Sequence, residues 1–249
     1  MTKVHVLLKK EDIKTAEMEE GNKIAVVLDV LLATTTITAA LMDGAKEVIP
    51  VESLEEGVRV ASEFDVDHFI LAGELHAKPV EGFVYPLPSY IRKVVKGKAL
   101  ILSTTNGTVA LRKASLAKKV FIACLLNNPS VADAVLKSGK DQTVLVVCSG
   151  NSGELSLEDF YGAGHFVDCL VKGRETDVEL SDSAKAAWHF YKGASKNPLK
   201  ILAASKVGQL FYQFHFEDEL EFASRVGSIS LVPVLKDGKI VLHQPAINK

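Results

Sequence analysis

Short apolar runs rich in β-branched residues recur along this chain. They alternate with segments whose apolar residues return every three to four positions, so the runs read as strands and the intervening segments as helices. The pattern predicts strands over residues 3–8, 24–32, 47–51, 68–72, 99–103, 119–123 and 143–147, the first of them short and at a sheet edge. Residues 9–22 read as a loop or helical turn. The run at 24–32 is nearly continuous in apolar residues, as in sheets covered on both faces. Helices are expected over 34–43, from Ser53 to about Phe64, over 90–95, from the turn at 104–108 to Ala114, over 130–137 and over 157–171. Gly44 closes the first of these as a C′ glycine, and Ser53 with Glu56 forms a capping box for the second. Residues 73–90 contain Gly73, Pro79, Gly82, Pro86 and Pro88, which mark a long loop.

The last third is helical to about residue 224, with an amphipathic stretch from Ser181 to Tyr191 that turns Trp188 inward. Apolar runs at 229–235 and 239–243 flank Lys236-Asp237-Gly238, a hairpin signature. Strand and helix in alternation imply an α/β fold with a mostly parallel sheet, made mixed by that hairpin. Residues 24–62 and 99–137 echo each other faintly: strand, threonine-rich turn, helix, Ala-Lys, strand, helix. No linker-like composition interrupts residues 1–249, so a single domain is expected.

Composition narrows the functions available. With 249 residues, 47% of them hydrophobic, the chain can bury a large core. A formal net charge of −2 provides no basic field for nucleic acid or an anionic membrane. No apolar run approaches the roughly 20 residues of a membrane span. Charges close behind a short apolar patch in MTKVHVLLKKEDIK do not fit a signal peptide, and a cytoplasmic location is expected. Cys124, Cys148 and Cys169 are widely spaced and lack a CxxC pattern, so they read as core thiols. The hydrophobic content allows a homo-oligomer without requiring one.

Candidate chemistry collects in the loops that leave predicted strands, where open α/β sheets bind ligands. The first loop offers Asp29, a carboxylate within an apolar run, followed by Thr34, Thr35 and Thr36. The second offers Gly73, Glu74 and His76. The third reads Thr104-Thr105-Asn106-Gly107-Thr108. The fourth offers Ser149, Gly150, Asn151, Gly153, Ser156, Glu158 and Asp159. Backbone N–H groups at a helix start, with hydroxyls beside them, suit an anion. Carboxylates nearby suit a hard cation, Mg²⁺ above softer metals. Ser152 lacks the spacing of a nucleophile elbow, and Cys148 reads as a core residue rather than a catalytic thiolate.

These residues also carry a resemblance. DVLLATTT at 29–36, GAKEVIPV at 44–51, LAGE at 71–74, EGF at 81–83, TTNGT at 104–108, LLNNPSVA at 125–132 and SLEDFYGAG at 156–164 resemble the 2-phosphosulfolactate phosphatase family, the ComB-like proteins. A fainter match runs through Ser205-Lys206-Val207-Gly208 to the terminal hairpin. The resemblance implies a three-layer α/β/α fold and Mg²⁺-dependent hydrolysis of 2-phospho-3-sulfolactate to 3-sulfolactate and phosphate. It implies that Asp29, Glu74, Glu158 and Asp159 are the acidic site residues. Asp29, Glu74 and Asp159 are the catalytic candidates, with Asp29 as nucleophile or base, and all four acids are candidate metal ligands. Thr34, Thr35, Thr36, Thr104, Thr105, Asn106, Gly107, Thr108 and Gly150 are the candidates for holding phosphate. The chain departs from the family pattern where arginines are usual, at Leu32 and Leu75, and where G-F-D and G-N-S-P are usual, around Gly82 to Ser89. The alternative to the phosphatase is a substrate-shifted or inactive relative that binds without catalysis. The feature that separates them is whether Lys78, Arg112 or Lys206 fills the space beyond Leu32 and Leu75.

Overall fold

The computed structural model describes residues 1–75, 78–173, 178–194 and 196–244. His76 lies outside them, so its candidate role has no structural counterpart here. The strands are β1 (Thr2–Leu7), β2 (Lys23–Leu28), β3 (Glu47–Val51), β4 (Phe69–Leu75), β5 (Lys78–Pro79), β6 (Ala99–Ser103), β7 (Lys119–Ala123), β8 (Thr143–Cys148), β9 (Val178–Leu180), β10 (Pro233–Lys236) and β11 (Lys239–Leu242). The helices are α1 (Ala33–Met42), α2 (Leu54–Ala61), α3 (Pro88–Val94), α4 (Gly107–Lys113), α5 (Asn128–Lys137), α6 (Leu157–Gly173), α7 (Asp182–Gly193), α8 (Pro198–Ala204), α9 (Lys206–Gln213) and α10 (Glu217–Ala223).

One mixed, mostly parallel sheet runs in the order β5-β4-β6-β3-β11-β10-β7-β2-β8-β1-β9. The C-terminal hairpin sits in its middle. β10 pairs antiparallel with β7, and β11 pairs antiparallel with β3. The hairpin therefore joins two parallel blocks, β4-β6-β3 and β7-β2-β8-β1-β9, that run in opposite directions. The turns that follow β2 and β6 nevertheless meet, since a Cβ at Gly107 would lie 2.5 Å from both Ala33 Cβ and Asp29 Oδ2.

The faint echo has a structural meaning. Residues 24–75 and 99–148 each form a strand-helix-strand-helix-strand unit, and the units exchange strands. The first unit places β2 in one block and β3 with β4 in the other, while the second places β6 beside β3 and β4, and β7 with β8 beside β2. The registers agree with an approximate two-fold relation. Ile24 opposes Lys119 and Leu28 opposes Ala123, while Ala99 opposes Glu47 and Ser103 opposes Val51.

Alternation along the strands builds separate cores on the two faces. Ala25 and Val27 of β2, Leu100 and Leu102 of β6, and Val120 and Ile122 of β7 pack with Ile37 of α1 and Leu111 of α4. The intervening residues Ile24, Val26 and Leu28 face a second core against α5, α6 and α7, and Ile49, Val51 and Ile101 pack near α2. Every residue from Ala33 to Leu41 is buried, as expected of a helix enclosed on all sides.

Several boundaries differ from those the pattern suggests. β1 is not an edge strand, because β9 pairs along its outer side. The strand expected over 24–32 stops at Leu28, because both backbone groups of Asp29 turn to the Thr34 hydroxyl. The loop expected over 73–90 contains β5, which folds back on β4 at Glu74 and Leu75, and Pro88 starts α3. The first hairpin strand begins at Pro233 rather than 229, because the Ile229 N–H is drawn to the Leu126 carbonyl instead. Trp188 is half-buried, and its indole donates to Asp168 Oδ1 at 3.0 Å.

Candidate active site

The starts of α1 and α4 meet where the two exchanged units cross. Gly107 opens α4 so close to α1 that a Cβ there would lie 2.5 Å from Ala33 Cβ and 2.5 Å from Asp29 Oδ2. Only a residue without a side chain permits this approach. Asp29 is buried against it, 7% exposed. Burial, and next the charge of Glu158, raise its pKa to about 7, while the N–H groups of Leu32 and Ala33 favour the ionised carboxylate. The first N–H groups of α1 therefore serve a carboxylate of the protein itself.

Related tethers hold the turns after β2 and β6. Asp159 accepts the Val30 N–H at 2.8 Å and the Gly150 N–H at 3.2 Å. Glu74 accepts the Thr105 N–H at 2.8 Å, and its other oxygen receives the Thr105 hydroxyl at 3.3 Å. Val30 and Thr105 each stand two positions past the last residue of their strand, so one acidic side chain pins the corresponding point of each unit. A buried carboxylate between two backbone donors satisfies groups that would otherwise be orphaned.

A cavity of about 250 Å³ opens at this junction. Asp29, Glu74, Thr104, Thr105 and Asn106 line its polar side, joined by Asn151 and Ser152. Leu31, Leu32, Tyr85, Pro86 and, from α9, Lys206, Val207, Leu210 and Phe211 complete the wall. The structure thus brings the four loops together. It separates the residues that face the cavity from those that build its support.

The threonine run belongs to the support. Thr34, Thr35 and Thr36 are fully buried, and their hydroxyls donate to the carbonyls of Asp29, Val30 and Pro86 at 2.7–2.8 Å. These hydroxyls shape the turn instead of lining the cavity. Thr108 is likewise buried and bonds back to Thr104. Gly150, at φ +71°, allows close packing on Lys9 and the Glu154 carbonyl, also behind the cavity lining.

Glu158 and Asp159 are 3% and 2% exposed, in the first turn of α6. Burial raises both their pKa values. The neighbouring Asp29 and Glu158 charges add to the rise at Asp159, whereas the Ser156 and Ser205 hydroxyls ease Glu158. Among the described residues, no basic side chain pairs with Asp29, Glu158 or Asp159. Nor do three His, Cys, Asp or Glu side chains converge as a metal cage among the described residues. The fit to a cation is therefore one of charge and donor type. Several buried carboxylates share one junction with no positive partner among the described residues, and their hard oxygens match Mg²⁺.

Pattern reasoning overlooked two features. α9 supplies much of the cavity wall, and the signal for it is the Ser205-Lys206-Val207-Gly208 match. Lys10 is buried, with Nζ 2.7 Å from Asn106 Oδ1, and steadies the turn before α4. Of the basic candidates, Lys206 lines the cavity alongside Leu32. Arg112 is turned to Glu52 and Glu56, and Lys78, in β5, stands in register opposite Leu75 of β4, which is half exposed.

Fold and site define an α/β protein with an acidic, anion-sized cavity at the junction of two exchanged units. Among the described residues, no helix is long and apolar enough to cross a membrane. The sequence profile of the 2-phosphosulpholactate phosphatase family matches residues 7–238. A probable 2-phosphosulfolactate phosphatase of Caldanaerobacter subterraneus subsp. tengcongensis is 38% identical over 93% of this chain and 95% of its own length. One from Clostridium novyi is 34% identical over 99% and 100%, and one from Clostridium perfringens 37% over 96% and 95%. The chain belongs to the 2-phosphosulfolactate phosphatase family, a family of phosphoric monoester hydrolases.

Proposed function

We propose that this protein hydrolyses 2-phospho-3-sulfolactate to 3-sulfolactate and phosphate with Mg²⁺. The observation that carries the reading is one cavity holding a buried carboxylate, Asp29, beside the polar turn Thr104-Thr105-Asn106. Family membership supplies the substrate class. The Thr104 hydroxyl and the Asn106 side-chain amide bind the phosphoryl oxygens, where charge grows in the transition state, while Thr105, whose N–H and hydroxyl go to Glu74, holds the turn that carries them. Asp29 acts as nucleophile or as the base that takes a proton from water. In the base route the water oxygen bonds to phosphorus as the phosphorus–ester oxygen bond breaks, and the proton taken by Asp29 passes to the leaving alkoxide to give the hydroxyl of sulfolactate. In the nucleophile route the same bond breaks as an aspartyl phosphate forms. Water then cleaves that acyl phosphate, restoring Asp29, releasing phosphate and supplying the alkoxide's proton. Glu74 and Asp159 act by fixing the two turns in register, so that the attacking and binding groups stay aligned.

Asp29 and Glu158 would hold Mg²⁺, with Glu74 and Asp159 beside them. When bound, the ion polarises the phosphoryl oxygens and offsets the acidic cluster. Lys206 in the wall beside Leu32 favours an active enzyme over an inactive relative, because it places a cation on the rim of the cavity. The same reading places the protein in the cytoplasm, in line with its free, largely buried cysteines. The test is to incubate purified protein with 2-phosphosulfolactate across a Mg²⁺ titration and follow both products. Equal appearance of phosphate and 3-sulfolactate, abolished by chelator, is expected. Absence of both products from folded, Mg²⁺-supplied protein would overturn the reading.

A further inference from the structure

Lys206 is the one basic residue lining the cavity among the described residues. It opens α9, immediately after Ser205, whose hydroxyl caps that helix by accepting the Gly208 N–H at 3.0 Å. Gly208 lets the helix start sit tight against α8, because a Cβ there would lie 1.9 Å from the Leu202 carbonyl oxygen. The backbone that carries Lys206 is therefore firmly placed, while its side chain is 72% exposed. Among the described residues its ammonium has one loose ion-pair partner, Glu154, at 3.5 Å and equally exposed. The nearby lining, Leu31, Leu32, Val207, Leu210 and Phe211, is apolar and offers an anion no side-chain donor. The acids and the donor-rich turn after β6 come from other elements. The cavity lining thus combines one cation from α9 with a carboxylate-and-hydroxyl set from other elements, with Asn151, Ser152 and an apolar share completing it. At about 250 Å³ it is smaller than a drug-sized site, so one compact ligand can meet both the cation and the donor-rich turn.

We propose that Lys206 is a specificity-determining residue that binds a second anionic group, a carboxylate or sulfonate, on the alcohol portion of the substrate. The assignment rests on the phosphatase reading for the identity of the group held at the donor-rich turn. Binding moves the ammonium from Glu154 to the ligand, at the edge of an apolar wall where a charge pair gains strength over its value in water. The site then selects small phosphate esters that carry a second negative charge. It disfavours esters of neutral alcohols. Glu154 competes for the same ammonium and tempers the affinity.

The test compares 2-phosphosulfolactate with phenyl phosphate, a monoester lacking the second anion. Lys206→Ala should lower the ratio of their kcat/KM values roughly 10- to 100-fold, as expected for one hydrogen bond to a charged group. The change should appear in KM for 2-phosphosulfolactate, with kcat little altered, and Lys206→Arg should restore part of it. Glu154→Gln should lower that KM two- to threefold. If Lys206 merely stabilised the fold through its ion pair, Glu154→Gln would mimic Lys206→Ala instead. Calorimetric titration with 3-sulfolactate repeats the comparison without turnover. Weaker binding by Lys206→Ala in protein that hydrolyses neither ester would uphold the proposal and sink the phosphatase reading. An unchanged selectivity ratio together with unchanged 3-sulfolactate binding, in variants with wild-type thermal melts, would overturn the proposal.

Discussion

Replacing Gly107 by alanine tests the junction of the two helix starts directly. The backbone at Gly107 is ordinary helix, so the substitution carries no dihedral penalty and acts through contact alone. The new Cβ would lie 2.5 Å from Ala33 Cβ and 2.5 Å from Asp29 Oδ2, against an ordinary contact that begins near 3.4 Å. Relief requires α1 and α4 to separate by about 1 Å at the site, or Asp29 to leave its place. Overpacking of this kind costs about 1–3 kcal/mol. For a chain of this length that corresponds to a fall in Tm of roughly 2–12 °C. A displacement near 1 Å among reacting groups costs on the order of 100-fold in rate. The assay is phosphate release under saturating substrate, beside a thermal melt. Gly193→Ala is the control, because nothing lies within 4 Å of the added Cβ there. Wild-type kcat and Tm in Gly107→Ala would refute the claim that this close approach positions Asp29.

Other outcomes follow from buried groups. Glu74→Ala strips the partner from the Thr105 N–H and should reduce kcat at least tenfold, with a stability loss of about 1–2 kcal/mol by chemical denaturation. Glu74→Gln, which retains an acceptor, should lose less, and equal losses in the two variants would contradict the tether. Asp159→Ala orphans the Val30 and Gly150 N–H groups and should cost about 2–4 kcal/mol, read from the denaturation midpoint. Burial lowers the pKa of His165 to about 4, with Asp168 opposing and Lys172 adding to the shift. The unfolded chain therefore binds a proton that the folded one refuses between pH 6.5 and about 4, and stability falls as pH drops through that window, by on the order of 3 kcal/mol. Denaturant titrations at successive pH values should show this slope flattened in His165→Gln, and an unchanged slope would remove His165 as its source.

The strands and helices were largely legible because their apolar periods are clean, as in Ile24 to Leu28 and in the capping box at Ser53. The α/β class, the terminal hairpin and the convergence of four loops followed from the same pattern. The hairpin's central position did not, since Asp237-Gly238 specifies a turn but says nothing about which strands flank it. Strand exchange was equally hidden, because an echo in sequence leaves open whether each unit pairs with itself or with its counterpart. Thr34, Thr35 and Thr36 looked like ligand donors because hydroxyls beside a helix start suit an anion. Their enclosure between two sheet blocks directs those hydroxyls to backbone carbonyls instead. Glu74 and Asp159 were visible as acids after strand ends, yet their tethers to Thr105 and Val30 depend on contacts remote in sequence. The wall from α9 arises from that helix packing beside the cavity, far in sequence from the other lining residues, and only the short match around Ser205 pointed there.

The most direct measurement is phosphate release from 2-phosphosulfolactate, with and without Mg²⁺, by the wild-type protein and by Asp29→Asn. Asparagine keeps the size of Asp29 while removing its charge, so the junction with Gly107 stays filled. The account predicts Mg²⁺-dependent release by the wild type and a loss of at least 100-fold in the variant, with an unaltered or raised Tm as a buried like-charge repulsion is relieved. Release by Asp29→Asn at the wild-type rate would contradict the central role of Asp29.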